Sequence, residues 1–133
     1  MQTFVIDSIS AVTHEMRGQI VVTGSHGGIS AAHLALAHPP GLAVFNDAGM
    51  GLDKAGVKGL EVLNAAGVAA CTVSHETARI GEAESTLSKG RISAVNSRAG
   101  EYGIETSQTC EQAISFYAQR YCIGTRSLNA ASQ

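Results

Sequence analysis

Three apolar runs that favour β-structure lie within the first 73 residues of the chain. They cover residues 19–23, 42–45 and 68–73. None of them alternates apolar and polar positions, which is typical of strands that are covered on both faces. We therefore predict three buried strands, the first of them near the centre of a sheet. An earlier run, residues 4–12, alternates in part and predicts an edge or half-exposed strand.

A helix-like stretch follows each of the first two buried strands. Ser30 is the predicted N-cap of a helix over residues 31–38, which must end before the proline pair that follows. Asp53 is the predicted N-cap of a second helix through about residue 66, with Gly67 as the glycine that terminates it. Strands that alternate with helices predict a parallel sheet with right-handed crossovers.

The second half of the chain has a weaker pattern. Residues 82–89 fit either a short helix or an exposed loop, and residues 91–95 fit either a strand or the start of a helix. Thr109 and Gln112 have the spacing of a capping box at the start of a final helix.

These elements predict one α/β domain over residues 1–123, followed by a frayed tail over residues 124–133. We expect a three-layer arrangement of the Rossmann-like or flavodoxin-like kind, with helices on both faces of a mainly parallel sheet. The chain shows no fixed-period repeat and no linker that would divide it.

Composition narrows the classes of partner. Only 15% of the residues are charged, against a typical ~25%, which suggests that a second copy or a larger complex covers part of the surface. The net charge is −2, the basic residues are scattered and there is no Trp, so nucleic-acid binding is not expected. No leader and no apolar run near the ~20 residues of a membrane span is seen. We expect a cytoplasmic protein that does not bind membranes.

The cysteines do not suggest a disulfide framework or a zinc site. Cys71, Cys110 and Cys122 are an odd number and form no CxxC pair. We expect all three to be packing residues.

Small and polar residues cluster at the three joints where a predicted strand meets the next element. The joints are residues 24–28, 46–51 and 74–81. Because the carboxyl ends of parallel strands meet at one edge of a sheet, the joints should converge there and form a ligand site.

The first joint combines glycines with Ser25 and His26. Gly27 and Gly28 would let a ligand approach the main chain, and the following helix N-terminus would favour a phosphate or carboxylate. The pattern is neither a P-loop nor GxGxxG. A tight turn without a ligand explains the same glycines equally well.

The second joint contains Asn46, Asp47 and Gly49. Asp47 is the residue that we most expect to be functional, as a general base, a metal ligand or a hydrogen-bond acceptor for a ligand. Alternatively, Asn46 or Asp47 only closes the turn through its own backbone.

The third joint carries the densest chemistry. If Ser74 caps a helix, His75 and Arg79 lie on one face of it, where Arg79 can bind an anion and His75 can transfer a proton near neutral pH. The structural alternative is a Glu76–Arg79 ion pair beside an exposed His75.

Two further arrangements are possible among these residues. Ser25, His75 and Asp47 could form a triad, but the GxSxG pattern of a nucleophile elbow is absent. His26, His75, Asp47 and Glu76 could bind a metal, but no HxH, HxxxH or HExxH spacing supports this and Arg79 would oppose a cation. We expect no metal, and the sequence identifies no cofactor.

The sequence therefore predicts an enzyme that acts on a small anionic metabolite, a carboxylate or a phosphate, by general acid–base chemistry. Hydrolysis and elimination or isomerisation both fit. The predicted catalytic residues are Asp47, His75 and His26. The predicted ligand-binding residues are Ser25, Gly27, Gly28, Asn46, Gly49, Ser74 and Arg79. The alternative is a non-catalytic metabolite-binding or regulatory subunit of a larger complex.

Overall fold

A computed structural model describes residues 1–131, with side chains described through residue 121. Five strands form one sheet in the order in which they occur in the chain. The strands are β1 (Thr3–Ile6), β2 (Ile20–His26), β3 (Leu42–Asn46), β4 (Ala69–Val73) and β5 (Ile92–Val95). The helices are α1 (Ile29–Ala35), α2 (Gly59–Ala65), α3 (Ala83–Lys89), α4 (Ser97–Glu101) and α5 (Cys110–Ala131).

Strands β1 to β4 are parallel to their neighbours, and β5 runs antiparallel to β4. The expected α/β class with a mainly parallel sheet is therefore confirmed. Rossmann-like and flavodoxin-like sheets reverse their strand order at a switch point. This sheet keeps the sequence order throughout.

The three predicted buried strands are confirmed. Residues 20–23 of β2 and every residue of β3 and β4 are buried. Alternate strand residues enter two separate hydrophobic clusters. One cluster takes residues from α1 and α2, and the other takes residues from α4 and α5. No helix among the described residues is long and apolar enough to cross a membrane.

The first strand is shorter than the predicted run of residues 4–12, although it does lie at the sheet edge. A 3₁₀ turn, Ile9–Ala11, follows it because the Ser8 side chain accepts a hydrogen bond from the Ser10 N–H. That local bond competes with strand geometry, as serine near a turn commonly does.

Two predicted N-caps were wrong. Helix α1 begins at Ile29 with Gly28 in the N-cap position, so Ser30 lies inside its first turn. Asp53 has φ +52° within a 3₁₀ segment, Leu52–Val57, whereas an N-cap residue takes an extended backbone. Helix α2 starts only at Gly59. Its predicted terminator is confirmed, since Gly67 has φ +83° directly after the C-cap.

Later elements settle the alternatives that the sequence left open. Of residues 82–89, all but the first form helix α3. Of residues 91–95, all but the first form strand β5. The capping box is confirmed: the Thr109 N–H donates to Gln112 Oε1 at 2.9 Å, and the Gln112 N–H donates to Thr109 Oγ1 at 3.1 Å. The predicted frayed tail over residues 124–133 lies beyond the last described side chain, at residue 121. Residues 132 and 133 lie outside the described residues altogether.

The parallel strands bring their carboxyl ends to one edge of the sheet. Because β1 is parallel to β2, Asp7 joins this edge, and its Oδ1 accepts a hydrogen bond from the Ala83 N–H at 3.0 Å. That bond ties the start of α3 to the end of β1. The three predicted joints lie at the carboxyl ends of β2, β3 and β4, at the same edge.

Candidate functional site

Asp47 follows β3 directly and is only 4% exposed. Its Oδ1 accepts hydrogen bonds from the Gly49 N–H at 2.8 Å and from the His75 N–H at 3.0 Å. One carboxylate oxygen thus closes its own loop and anchors the start of the third joint. Gly49 serves this arrangement with φ +75°, a conformation that favours glycine.

The His75 ring lies against the same carboxylate. Its Nδ1 is 3.4 Å from Asp47 Oδ1, and its side chain is 50% exposed. A Cβ at residue 49 would lie 3.5 Å from His75 Cε1, so the ring also covers Gly49. The distance is that of an ion pair and exceeds a short hydrogen bond, which is common at catalytic pairs before substrate binds.

The electrostatics of Asp47 favour its charged form. Burial is the largest single influence and raises the pKa, but hydrogen bonds from the Gly49 N–H, the Ser93 side chain and the His75 N–H, together with the His75 charge, outweigh it. The net pKa is lowered from the ordinary value. Asp47 is therefore ionised near neutral pH and is a weak base, suited to orienting His75 and to stabilising its protonated ring.

Sequence reasoning missed Ser93. It lies on the antiparallel strand β5, its hydroxyl is 2.9 Å from Thr72 Oγ1, and its side chain helps to lower the pKa of Asp47. The available signal was a polar residue within the apolar run at 91–95, and it became useful only once the strand and its direction were known.

An open cleft of ≈ 480 Å³ lies beside the His75 ring. Its lining consists of Ala48, His75, Ala78, Arg79 and Ile80. His75 and Arg79 thus share a cleft, as predicted, but not through a helix. Residues 74–78 form a single turn in which the Ser74 carbonyl accepts hydrogen bonds from the Thr77 and Ala78 N–H groups.

The local bonds of the third joint differ from those expected of a capped helix. Ser74 Oγ accepts a hydrogen bond from the Glu76 N–H at 3.2 Å, which stabilises the turn that presents His75. Among the residues with described side chains, the recorded ion pair is His75–Asp47, so the alternative Glu76–Arg79 pair does not form. The Arg79 guanidinium makes no ion pair among these residues.

Asn46 positions the walls of this cleft. It is fully buried, its Nδ2 donates to the Ala78 carbonyl at 3.0 Å, and its Oδ1 accepts from the Ala48 N–H at 2.8 Å. The geometry favours a positioning role for Asn46, while direct contact with a ligand stays a prediction.

The glycines of the first joint pack tightly against the main chain of neighbouring segments. The Gly27 N–H donates to the Asn46 carbonyl at 3.0 Å, and the Gly27 carbonyl accepts from the Gly59 N–H at 2.9 Å. A Cβ at residue 27 would lie 2.8 Å from the Gly56 carbonyl oxygen. A Cβ at Gly28 would lie 2.9 Å from His26 Cδ2. These contacts favour the tight-turn interpretation of the glycines.

Ser25 and His26 have other neighbours than the Asp47–His75 pair. Ser25 Oγ accepts a hydrogen bond from the Ile9 N–H at 2.9 Å. His26 is exposed and pairs in register with Asn46. No recorded contact within the described side chains joins either residue to His75. Asp47 and His75 therefore form a pair, without Ser25 as the third member of a triad.

The described thiols and carboxylates show no reactive or metal-binding cluster. Cys71 and Cys110 are free and buried, and burial is the main cause that raises the pKa of Cys71 well above its usual range and that of Cys110 to about 12. Both stay protonated thiols, consistent with packing. Among the described residues no group of three or more His, Cys, Asp or Glu converges. The Cys122 side chain lies outside the described part.

The fold and the site define an α/β protein with an aspartate–histidine pair at the carboxyl edge of a mainly parallel sheet. Comparisons with models of protein families, with curated proteins and with solved structures found no match to this chain. The site geometry therefore carries the functional argument.

Proposed function

We propose that this protein is an enzyme that acts on a small anionic metabolite, a carboxylate or a phosphate, by general acid–base chemistry. Hydrolysis and elimination or isomerisation next to the anionic group are the two reaction types that we consider. One observation carries the proposal: a half-exposed His75 lies against a buried, ionised Asp47, in a cleft that also contains the unpaired Arg79.

In this proposal His75 is the proton-transfer group. Asp47 faces its Nδ1, which leaves Nε2 as the acceptor for a proton of the substrate or of a water molecule. Asp47 acts on His75 by orientation and charge, because its lowered pKa makes it a weak base. The earlier prediction that Asp47 itself transfers protons is thereby refined to a positioning role.

Arg79 holds the anionic group of the substrate through its planar fork of donors. Its free guanidinium and its place in the cleft lining support this role. Assistance from His26, and ligand contacts from Ser25, Gly27, Gly28, Gly49 and Ser74, stay predictions. The contacts that the structure shows for Ser25, Gly27, Gly28, Gly49 and Ser74 are with other residues of the protein.

The first experiment identifies the class of compound that the protein binds. Thermal unfolding is measured with small carboxylates, phosphates and nucleotides, each with and without a divalent metal. A ligand at 100 times its dissociation constant stabilises the fold by about 2.7 kcal/mol. Compounds of the stabilising class are then assayed for turnover.

The decisive variants are His75→Gln and a matched control, His33→Gln, at an exposed histidine of α1. Loss of the acid–base group should lower kcat by roughly 10²–10⁴-fold, whereas the control should keep full activity. Retained turnover in His75→Gln would overturn the proposal.

A second candidate is a non-catalytic metabolite-binding or regulatory subunit, alone as a homo-oligomer or within a complex. Ile29 and Leu34 on α1 support it, since they are 49% and 47% exposed and offer apolar surface for a partner. Light scattering of wild type and of an Ile29→Ser, Leu34→Ser double variant tests self-association. Binding of a metabolite without turnover would favour this candidate.

We further propose that the domain has three layers, since α1 and α2 supply one hydrophobic cluster and α5 the other. The two free buried thiols support a reducing compartment, which is consistent with a cytoplasmic protein.

A further inference from the structure

The cleft beside His75 has a composition that narrows its ligand. Three of its five lining residues, Ala48, Ala78 and Ile80, are apolar, and the other two can carry positive charge. Ile80 is 54% exposed, so it contributes apolar surface that the fold itself leaves uncovered. Among the described residues no carboxylate lines the cleft, because Asp47 is buried behind the His75 ring.

Most main-chain donors of the cleft lining are already used within the protein. The N–H groups of four lining residues donate to internal acceptors at 2.8 to 3.1 Å: Ala48 to Asn46, His75 to Asp47, Ala78 to Ser74 and Arg79 to Ser85. Phosphate sites draw heavily on free main-chain N–H groups. This cleft offers instead the guanidinium of Arg79, whose fork matches the two oxygens of a carboxylate.

The charge around Arg79 also disfavours a dianion. On the side away from His75, Arg79 borders a surface that carries Asp7, Glu82 and Glu84 against one further cation, Lys89. Near neutral pH the ionised Asp47 offsets one positive charge, so Arg79, His75 and Asp47 together carry at most one net positive charge. At most one net positive charge beside several carboxylates suits a single negative charge better than two.

We propose that the cleft binds a small monocarboxylate with an apolar body, the carboxylate on Arg79 and the body against Ala48, Ala78 and Ile80. This inference rests on the proposed function, because it names the substrate class of the same site. It favours a carboxylate over a phosphate, the two ligand classes that the sequence left open.

Titrations of the ¹⁵N-labelled protein followed by NMR test the proposal, at constant ionic strength, with acetate, butyrate, hexanoate and inorganic phosphate as probes. We expect shifts of the Ala48, Ala78 and Ile80 amides with the alkanoates. Affinity should rise about twofold per added methylene, half of the roughly fourfold gain that full burial gives. Phosphate should bind at least tenfold more weakly than hexanoate.

Three exposed positions supply the variants. Arg79→Gln should lower the affinity for all three alkanoates. Ile80→Ser should lower the affinity for hexanoate and leave that for acetate unchanged. The control Lys89→Gln should leave the affinities for both hexanoate and acetate unchanged. The amide spectrum of each variant verifies its fold. Phosphate bound as tightly as butyrate, or affinity independent of chain length, would overturn the inference.

The alkanoates cannot turn over, so this result is independent of the catalytic test. If His75→Gln keeps full activity on a true substrate while hexanoate still binds through Arg79 and Ile80, the acid–base function fails and the ligand class stands. If turnover depends on His75 but phosphate binds best, the ligand class fails alone.

Discussion

The first and third joints lie at the same sheet edge and both carry serine and histidine, yet they serve different purposes. In residues 24–28 the glycine main chain packs against α2 and the Ser25 hydroxyl bonds to Ile9. In residues 74–81 the turn presents His75 and Arg79 to an open cleft. A glycine-rich sequence can therefore mark close packing, whereas a site needs polar side chains that the fold leaves free.

The largest expected effect concerns the packing of the first joint. A Cβ in Gly27→Ala would lie 2.8 Å from the Gly56 carbonyl oxygen and 2.9 Å from Thr72 Cγ2. Neither neighbour is a flexible side-chain end, so we expect a loss of about 3 kcal/mol in urea unfolding. The control Gly100→Ala has open space around its Cβ within α4 and should stabilise by roughly 0.5–1 kcal/mol. Unchanged stability in Gly27→Ala would remove the contrast between the joints.

Asn46 connects the two joints and provides the next effect. Asn46→Ala breaks its bonds to Ala48 and Ala78 and leaves the buried Ala78 carbonyl without its donor, which should cost about 2 kcal/mol in urea unfolding and weaken hexanoate binding. Asn96 is the control, since it is also buried but lies away from the cleft, and its side chain makes four hydrogen bonds against two for Asn46. Asn96→Ala should lose at least as much stability and keep binding. Lost binding with full stability in Asn46→Ala would instead assign Asn46 a direct ligand contact.

Ser25 distinguishes a nucleophile from a structural hydroxyl. Ser25→Ala removes the bond to the Ile9 N–H and should cost about 1 kcal/mol, with turnover unchanged. The exposed Ser88→Ala in α3 should stay within about 0.5 kcal/mol of wild type. Abolished turnover in Ser25→Ala would restore the triad and reverse the contrast.

The smallest effect is a pH dependence from Asp47. Its folded-state pKa lies below the unfolded value of about 3.9, so its charged form stabilises the fold above that pH, and the stabilisation disappears as pH falls through the folded pKa. The stability advantage of wild type over Asp47→Asn should thus decrease as pH falls below about 4. Urea unfolding across this range measures it. A difference that stays constant down to about pH 2 would contradict a lowered pKa of Asp47.

Local pattern predicted the elements better than their ends. Uniform burial of apolar runs identified β2, β3 and β4, and the spacing of Thr109 and Gln112 identified the start of α5. Predicted caps at Ser30 and Asp53 failed because neighbouring glycines and a left-handed backbone at Asp53 set the helix starts. Such choices depend on main-chain packing between segments, which a local pattern does not contain.

Prediction of the site was also limited by contacts between segments that lie far apart in the chain. Sequence order and strand type placed Asp47, His75 and Arg79 at one edge, since parallel strands align their carboxyl ends. They did not indicate that Ser93 supports Asp47, because that contact requires β5 to run antiparallel beside β4.

The sequence by itself determined the α/β class, the buried strands and the edge at which reactive groups collect, because apolar runs and the alternation of strands with helices are visible in the local pattern. Only the tertiary structure decided which of those groups remain free. The Gly27 main chain and Ser25 hydroxyl are bonded internally, while His75 and Arg79 face a cleft, and this difference arises from contacts between residues that lie far apart in the chain.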